Sequence, residues 1–335
     1  MSRYVVGVDI GATWIRAALA SADGRIMRKT VLLTPREGDK YTIANLILEV
    51  IKKEYREYID DIESIGIGVA GPLDLARGRV IGAPNVPIRT FELGAPLIDA
   101  LRKPTIIAND CVAAVWGEKL FGLGRGKNNI VYITLSTGIG GGIIVNDLLL
   151  LGKMGNAHEI GHMIVDVRGR MICGCGGRGH WEAYASGANI PKFASKLLEE
   201  WTLTEEEKKS IIFQLYCENK LTSEQIYKEA ENGDLLALKI VEEINKYNIA
   251  GFENVINIFD PEIISVGGAI ALKNKRELVL NPIIKGIEES KGVVTLKPII
   301  EITPLGDDIV LLGAIALALN APKNLLSMLK YLENL

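Results

Sequence analysis

Short apolar runs and glycine turns alternate through the first seventy residues. Tyr4 to Ile10 is a β-rich run, Gly11-Ala12-Thr13 a tight turn, and Trp14 to Ala20 a second run. Asp23-Gly24 is a turn signal that leads into a third run, Ile26 to Leu33. From Thr42 to Tyr58 the period changes, with Ile43, Leu46, Ile47, Val50 and Ile51 at helical spacing and charges on the other face. Ile65 to Ala70 then reads as a buried strand closed by Gly71-Pro72. The order β-β-β-α-β opens an α/β domain with helices packed on a mixed sheet.

The pattern then recurs. Asn129 to Leu135 reads as a strand, Ser136-Thr137-Gly138 as a glycine turn, and Gly140 to Val145 as a returning strand. Ile263 to Val266 is a strand ending in Gly267-Gly268, much as Ile65 to Ala70 ends in Gly71. Two strand–turn–strand units and two strand–glycine ends imply an internal duplication, and so two similar lobes with a cleft between them. Thr105 to Ala108 reads as a strand and Val112 to Leu120 as a helix. Residues 192–248 are charged and helical in pattern without a chemical motif, which fits a helical insertion on the larger lobe. The apolar run Ile309 to Leu319 reads as a buried helix that returns to pack on the first lobe.

Composition narrows the class. The 335 residues exceed what one compact core usually holds, so two domains are expected. Hydrophobic residues at 48% supply large cores, and a net charge of −3 without a basic block argues against a nucleic-acid surface. No apolar run approaches the about 20 residues that a bilayer demands. Met1-Ser2-Arg3 leads straight into a strand-like run, so no signal peptide is expected. Four cysteines in a chain of this length make no disulfide framework, and the cytoplasm is the expected compartment.

Several motifs could carry chemistry. Asp9-Ile10-Gly11-Ala12-Thr13 puts a carboxylate at a strand end beside a tight turn. Such a turn lets backbone N–H groups approach phosphate oxygens, with a Thr13 hydroxyl to help and Asp9 to hold Mg²⁺ through water; an ordinary hairpin has the same letters. Ser136 to Gly142 is a second glycine-rich turn, whose backbone entropy cost close approach of a ligand would justify. Neither matches a P-loop or a dinucleotide fingerprint. Asn109-Asp110 stands between a strand and a helix, where an Asp serves either as a helix cap or as a general base at a cleft. His158-Glu159-Ile160-Gly161-His162 has the letters of a zincin motif, but Gly161 disfavours the long helix that motif needs. Glu159 and His162 could instead bond the hydroxyls of a polyol. Cys173, Cys175 and His180 add three soft ligands within eight residues, and His162 could complete a closed, structural zinc site.

Taken in this order the motifs resemble the ROK family of bacterial and archaeal sugar kinases, within the hexokinase–actin–chaperone ATPase superfamily. The matching segments are Asp9 to Thr13, Ala108 to Asp110, Thr134 to Gly142, Glu159 to His162, Cys173 to Glu182, and Ser265 to Ala269. The resemblance implies that Asp110 is the catalytic base and that Asn109 contacts the sugar. It implies sugar-hydroxyl contacts for Glu159, His162 and Glu182, with Gly71 and Asn85 touching the sugar from the smaller lobe. Asp9, Gly11, Ala12, Thr13, Thr137 and Gly138 match the phosphate and Mg²⁺ region, and Gly267 and Gly268 the adenosine loop. Three departures stand out: Ala12 and Ser136 occupy positions where the family has glycine, and His180 replaces the third cysteine of a His-Cys-Cys-Cys zinc set.

The fold expected is an α/β, two-lobed actin-like hexokinase (ribonuclease H-like) fold. Residues 1–108, with the C-terminal helix of about 310–335, form the small lobe, and 109–309 the large lobe with the insertion at about 192–248. The activity implied is transfer of phosphate from ATP to the primary 6-hydroxyl of a hexose such as glucose, with room for mannose, glucosamine or N-acetylglucosamine. Cofactors are ATP and Mg²⁺, with structural Zn²⁺ in question because of His180. Partners are the hexose and ATP, with no nucleic acid and no membrane; a homo-oligomer is allowed. Two other classes stand beside this one. A sugar-responsive ROK-type binding protein would need a helix-turn-helix segment ahead of Asp9, and an actin-like ATPase without a sugar substrate would leave Glu159 and His162 without a use.

Overall fold

The computed structural model of the chain describes residues 3–83 and 86–335, the side chain of Asn334 excepted. The first sheet begins with β1 (Tyr4–Ile10), β2 (Trp14–Ser21), β3 (Ile26–Leu33) and β4 (Ile62–Val69). A small antiparallel sheet of β5 (Leu73–Asp74), β6 (Arg79–Val80) and β7 (Phe91–Glu92) follows, and β8 (Thr105–Asn109) completes the first sheet. Its order is β3-β2-β1-β4-β8. The β1–β2 and β2–β3 pairs are antiparallel, and the β1–β4 and β4–β8 pairs parallel.

The second large sheet contains β9 (Ile130–Leu135), β10 (Ile139–Val145), β11 (Leu148–Leu149), β12 (Ile263–Gly267) and β13 (Ile299–Ile302), in the order β11-β10-β9-β12-β13. Counted from its own first strand, each sheet runs 3-2-1-4-5. In each, strands two and three pair antiparallel and strands four and five pair parallel. The duplication expected from the glycine turns is thus present in the strand order.

The helices are α1 (Thr42–Glu54), α2 (Gly94–Leu101) and α3 (Asp110–Phe121), then α4 (Glu182–Ala185), α5 (Ile190–Glu200), α6 (Ile211–Cys217), α7 (Ser223–Glu231), α8 (Leu235–Phe259), α9 (Ala269–Lys273) and α10 (Leu280–Glu289), and near the C-terminus α11 (Ile309–Leu319) and α12 (Lys323–Leu326). Close packing divides the chain into two compact units. One comprises Met1–Tyr132, Gly142–His158 and Thr303–Leu335, the other Ile133–Gly141 and Glu159–Ile302.

Within the first unit, α11 lies on β1 and β4 and against α3. It is apolar on every side, as a helix buried all round must be. Gly66 on β4 permits its approach, because a Cβ there would run into the Ala314 carbonyl. The run that reads as a buried helix is therefore one, and it covers the first sheet. Helix α1 ends at Glu54, short of the Tyr58 that periodicity suggests. Tyr55 turns inward and its hydroxyl donates to the Ala17 carbonyl at 2.9 Å, which ties the end of α1 beneath β2. In the second unit the segment 192–248 is helical, as its pattern predicts, in α5, α6, α7 and the first half of α8.

Candidate functional site

In the first unit the candidate residues gather where strands end. Asp9 lies one residue before the end of β1, 6% exposed, opposite Arg16 in the β1–β2 register. Arg16 Nη1 donates to Asp9 Oδ2 at 2.8 Å. Burial pushes the Asp9 carboxyl up to about 6; Arg16 opposes that rise, and the neighbouring Asp110 and Asp308 charges add to it. The turn Gly11 to Thr13 closes the hairpin, with the Gly11 N–H donating to the Trp14 carbonyl at 3.0 Å. Ala12 and Thr13 are exposed at its tip.

Strand β8 runs through Asn109, so the helix cap falls on Asn109 and Asp110 is the first residue of α3. The Cys111 N–H donates to Asn109 Oδ1 at 2.8 Å and lies 2.9 Å from Asp110 Oδ1. The positive end of the helix favours an anionic side chain in this place. Gly71 stands beside them, since a Cβ there would lie 3.4 Å from Asn109 Nδ2 and 3.6 Å from Asn156 Oδ1. Asn156 is fixed by bonds in both directions with the Leu73 backbone, each of 3.3 Å. Asn85, expected beside the sugar, lies outside the described residues.

In the second unit the turn Ser136 to Gly138 joins β9 to β10, and the Ser136 N–H donates to the Gly138 carbonyl at 3.0 Å. Gly267 is the last residue of β12, and Gly268 is the N-cap of α9. A cavity of about 530 Å³ opens here. Thr137 and Ala188 line one part of it, Ile270 and Lys273 another, and Tyr227 and Lys228 of α7 bring the helical insertion into its wall. The Tyr227 hydroxyl is buried without a hydrogen-bond partner among the described residues.

The soft ligands also meet. One ligand atom from each of His162, Cys173, Cys175 and His180 lies within 4.8 Å of the others. His158 belongs to the first unit, where it is buried with Nε2 3.1 Å from the Gly155 carbonyl. His162 Nδ1 is 3.0 Å from Glu159 Oε2, and that bond is the main reason the imidazole is raised to about 9, above the ordinary histidine range. Burial pushes the Cys173 thiol up to about 12, so without a metal it keeps its proton. Burial lowers His180, and the His162 charge lowers it further.

Trp181 anchors the stretch between His180 and Glu182. It is fully buried, its ring packs edge-on to Phe252 at 5.7 Å, and its Nε1–H donates to Asn248 Oδ1 at 3.0 Å. Two residues after Glu182, the Tyr184 hydroxyl donates to Asp166 Oδ2 at 2.6 Å and accepts from the Met171 N–H at 3.1 Å. Glu182 itself accepts from the Ile139 N–H at 2.9 Å and from the Cys173 thiol at 3.5 Å.

The two groups of candidate residues thus bring in side chains that the sequence patterns did not single out: Arg16 and Asn156 in the first unit, and Trp181, Tyr227 and Lys228 in the second. Arg16 alone left a legible signal, as a charge in the otherwise apolar strand Trp14 to Ala20.

The model of the ROK family matches residues 5–321. A glucokinase of Pyrobaculum calidifontis is 38% identical over 327 residues, covering 97% of this chain and 98% of its own. The crystal structure of a ROK family glucokinase from Streptomyces griseus, in complex with glucose and AMPPNP, superposes with a TM-score of 0.74 at 32% identity, covering 94% of this chain and 98% of that one. A ROK hexokinase from Thermus thermophilus gives a TM-score of 0.78 at 28% identity, covering 93% and 97%. The mixed α/β architecture is the actin-like hexokinase fold. The chain belongs to the ROK family.

Proposed function

We propose that this chain is an ATP-dependent glucokinase, transferring the γ-phosphoryl group of ATP to the 6-hydroxyl of glucose. The observation that carries the reading is the near full-length match to glucokinases, 38% and 35% identical over 97% and 96% of the chain. The residue set described above supports it. Asp110, at the start of α3 beside Asn109, is suited to take the proton of the sugar hydroxyl as that oxygen attacks phosphorus. Asn109, Gly71, Glu159, His162 and Glu182 are assigned to the sugar, with Asn85. Thr137 and Gly138 are assigned to phosphate with the turn Gly11 to Thr13, and the cavity edged by Thr137 and α9 to the nucleoside. Because ATP is the donor, the reading places the protein in the cytoplasm.

The family implies two ions, Mg²⁺ and Zn²⁺. Asp9 is a buried carboxylate that feels Asp110 and Asp308, with Arg16 as its direct counter-charge. Such oxygen-rich surroundings fit Mg²⁺, which Asp9 would hold through water and which would neutralise charge on the phosphates. His162, Cys173, Cys175 and His180 fit a closed tetrahedral Zn²⁺. Cys175 Sγ and His180 Nδ1 are already 3.3 Å apart, and with Nε2 on the metal His162 would meet the sugar through Nδ1, which now lies 3.0 Å from Glu159 Oε2. Four protein ligands leave no open position, so a zinc ion there would be structural. Histidine in place of a third cysteine is therefore compatible with the site.

A coupled assay of purified protein with ATP, Mg²⁺ and a panel of glucose, mannose, glucosamine and N-acetylglucosamine tests the reading. Sugar-dependent ADP release, highest with glucose, is expected. ADP release that ignores the sugar would point instead to an actin-like ATPase.

A further inference from the structure

We infer that Glu182 is a positioning residue that ties the cysteine loop to the phosphate turn, so that nucleotide affinity depends on a side chain outside the nucleotide cavity. The inference rests on the kinase reading in one respect, that the turn Ser136 to Gly138 receives phosphate.

The geometry is specific. Trp181, fully buried between His180 and Glu182, fixes the backbone from which the Glu182 carboxylate extends. The two carboxylate oxygens then diverge. Oε2 accepts from the Ile139 N–H at 2.9 Å, at the exit of the turn, and Oε1 accepts from the Cys173 thiol at 3.5 Å, at the start of the cysteine loop. Gly138 makes this possible, because a Cβ there would sit 2.7 Å from Oε2. The segment that follows continues the attachment: the Gly187 N–H donates to the Ser136 carbonyl at 2.7 Å and the Ala188 N–H to the Thr137 carbonyl at 3.1 Å. Residues 136, 137 and 139 are thus each bonded to the stretch that begins at Glu182. Gly187 and Ala188 also line the nucleotide cavity, whereas Glu182 does not.

Charge and geometry predict opposite signs here, which makes the idea easy to break. A carboxylate beside a phosphate turn repels the ligand, so if its charge were what mattered, removing the charge would tighten nucleotide binding. If its bond to Ile139 shapes the turn, losing the reach of the side chain would weaken binding whatever the charge. Glu182→Asp keeps the charge and loses the reach. Glu182→Gln loses the charge and keeps an acceptor of the same length.

The test is calorimetric binding of Mg²⁺–AMPPNP to the full chain without sugar, which sets aside any direct contact of Glu182 with glucose. Glu182→Asp is expected to weaken binding on the order of tenfold, as loss of one charge-assisted hydrogen bond would. Glu182→Gln is expected to stay within about threefold of wild type. Gly138→Ala, which crowds Oε2 from the other side, should weaken binding as Glu182→Asp does, and it supplies the answer if the aspartate variant fails to fold. Wild-type affinity in Glu182→Asp and Gly138→Ala would overturn the inference, as would an equal loss in the Gln and Asp variants. Wild-type protein that binds AMPPNP but phosphorylates no sugar would sink the kinase reading alone. Failure of the wild type to bind AMPPNP would sink both.

Discussion

The two groups of candidate residues are held in different ways. In the first unit, Asp9 and Asn109 stand at the ends of β1 and β8, which flank β4 in one sheet, and Asp110 opens α3; their positions follow from register: Asp9 faces Arg16 across β1–β2, and Asn109 ends β8. In the second unit, the cysteine loop and the turn Ser136 to Gly138 owe their shape to side chains, chiefly Trp181, Tyr184 and Glu182. A site set by register should tolerate changes around it and fail only when the reacting group itself is altered. A site set by side-chain bonds should fail by degrees, through its supports.

The sharpest form of this contrast is Asp110→Asn. It keeps the shape of the side chain and removes the base, so kcat should fall by about 10²–10⁴-fold with glucose affinity nearly unchanged. Steady-state kinetics beside a glucose titration would check it, and near-normal kcat would remove Asp110 from the chemistry. Trp181→Ala should break the other region through its support. Truncating a fully buried tryptophan costs about 3–5 kcal/mol, visible as a large shift in a urea or thermal midpoint. A loss below about 1 kcal/mol would show that the loop holds without its anchor.

Metal removal is a milder test of the same region. If His162, Cys173, Cys175 and His180 hold zinc, elemental analysis should find about one ion per chain, and a chelator should lower the thermal midpoint while the first unit's chemistry persists in part. Protein that carries no zinc, with a midpoint indifferent to chelator, would leave the loop to Trp181, Tyr184 and Glu182.

The smallest effect expected concerns pH. In chelator-treated protein His162 is raised by its bond to Glu159, from 6.5 to about 9. A raised basic group contributes stability that is fully present below pH 6.5 and is lost as pH rises through about 9. Wild type should therefore exceed Glu159→Gln in thermal midpoint at low pH, and the gap should close across that window. A gap constant with pH would show that the pair does not act through charge.

The same contrast explains what could be read from the chain. Asp9 and Asp110 stood out in the sequence because each puts a charge at or just past the end of an apolar run. The helix start at 109–110 was legible, but adjacent Asn and Asp are both good caps, and only the length of β8 decides that Asn109 takes the role. The bond from Glu182 to Ile139 spans 43 residues and involves a backbone N–H, which no residue pattern announces. Tyr227 and Lys228 were hidden for another reason. In α7 they have the letters of an ordinary amphipathic helix, and only the packing of the insertion puts them in the wall of the cavity that Thr137 also lines.

Identification of the product decides whether this chain uses ATP to phosphorylate glucose. Purified protein, ATP, Mg²⁺ and glucose are incubated, and the sugar product is examined by mass spectrometry and by phosphorus-coupled carbon NMR. Glucose 6-phosphate is expected in amounts equal to the ADP formed, with at most about a hundredth as much from Asp110→Asn over the same interval. ADP formed without a phosphorylated sugar, or a phosphate on another hydroxyl, would contradict it.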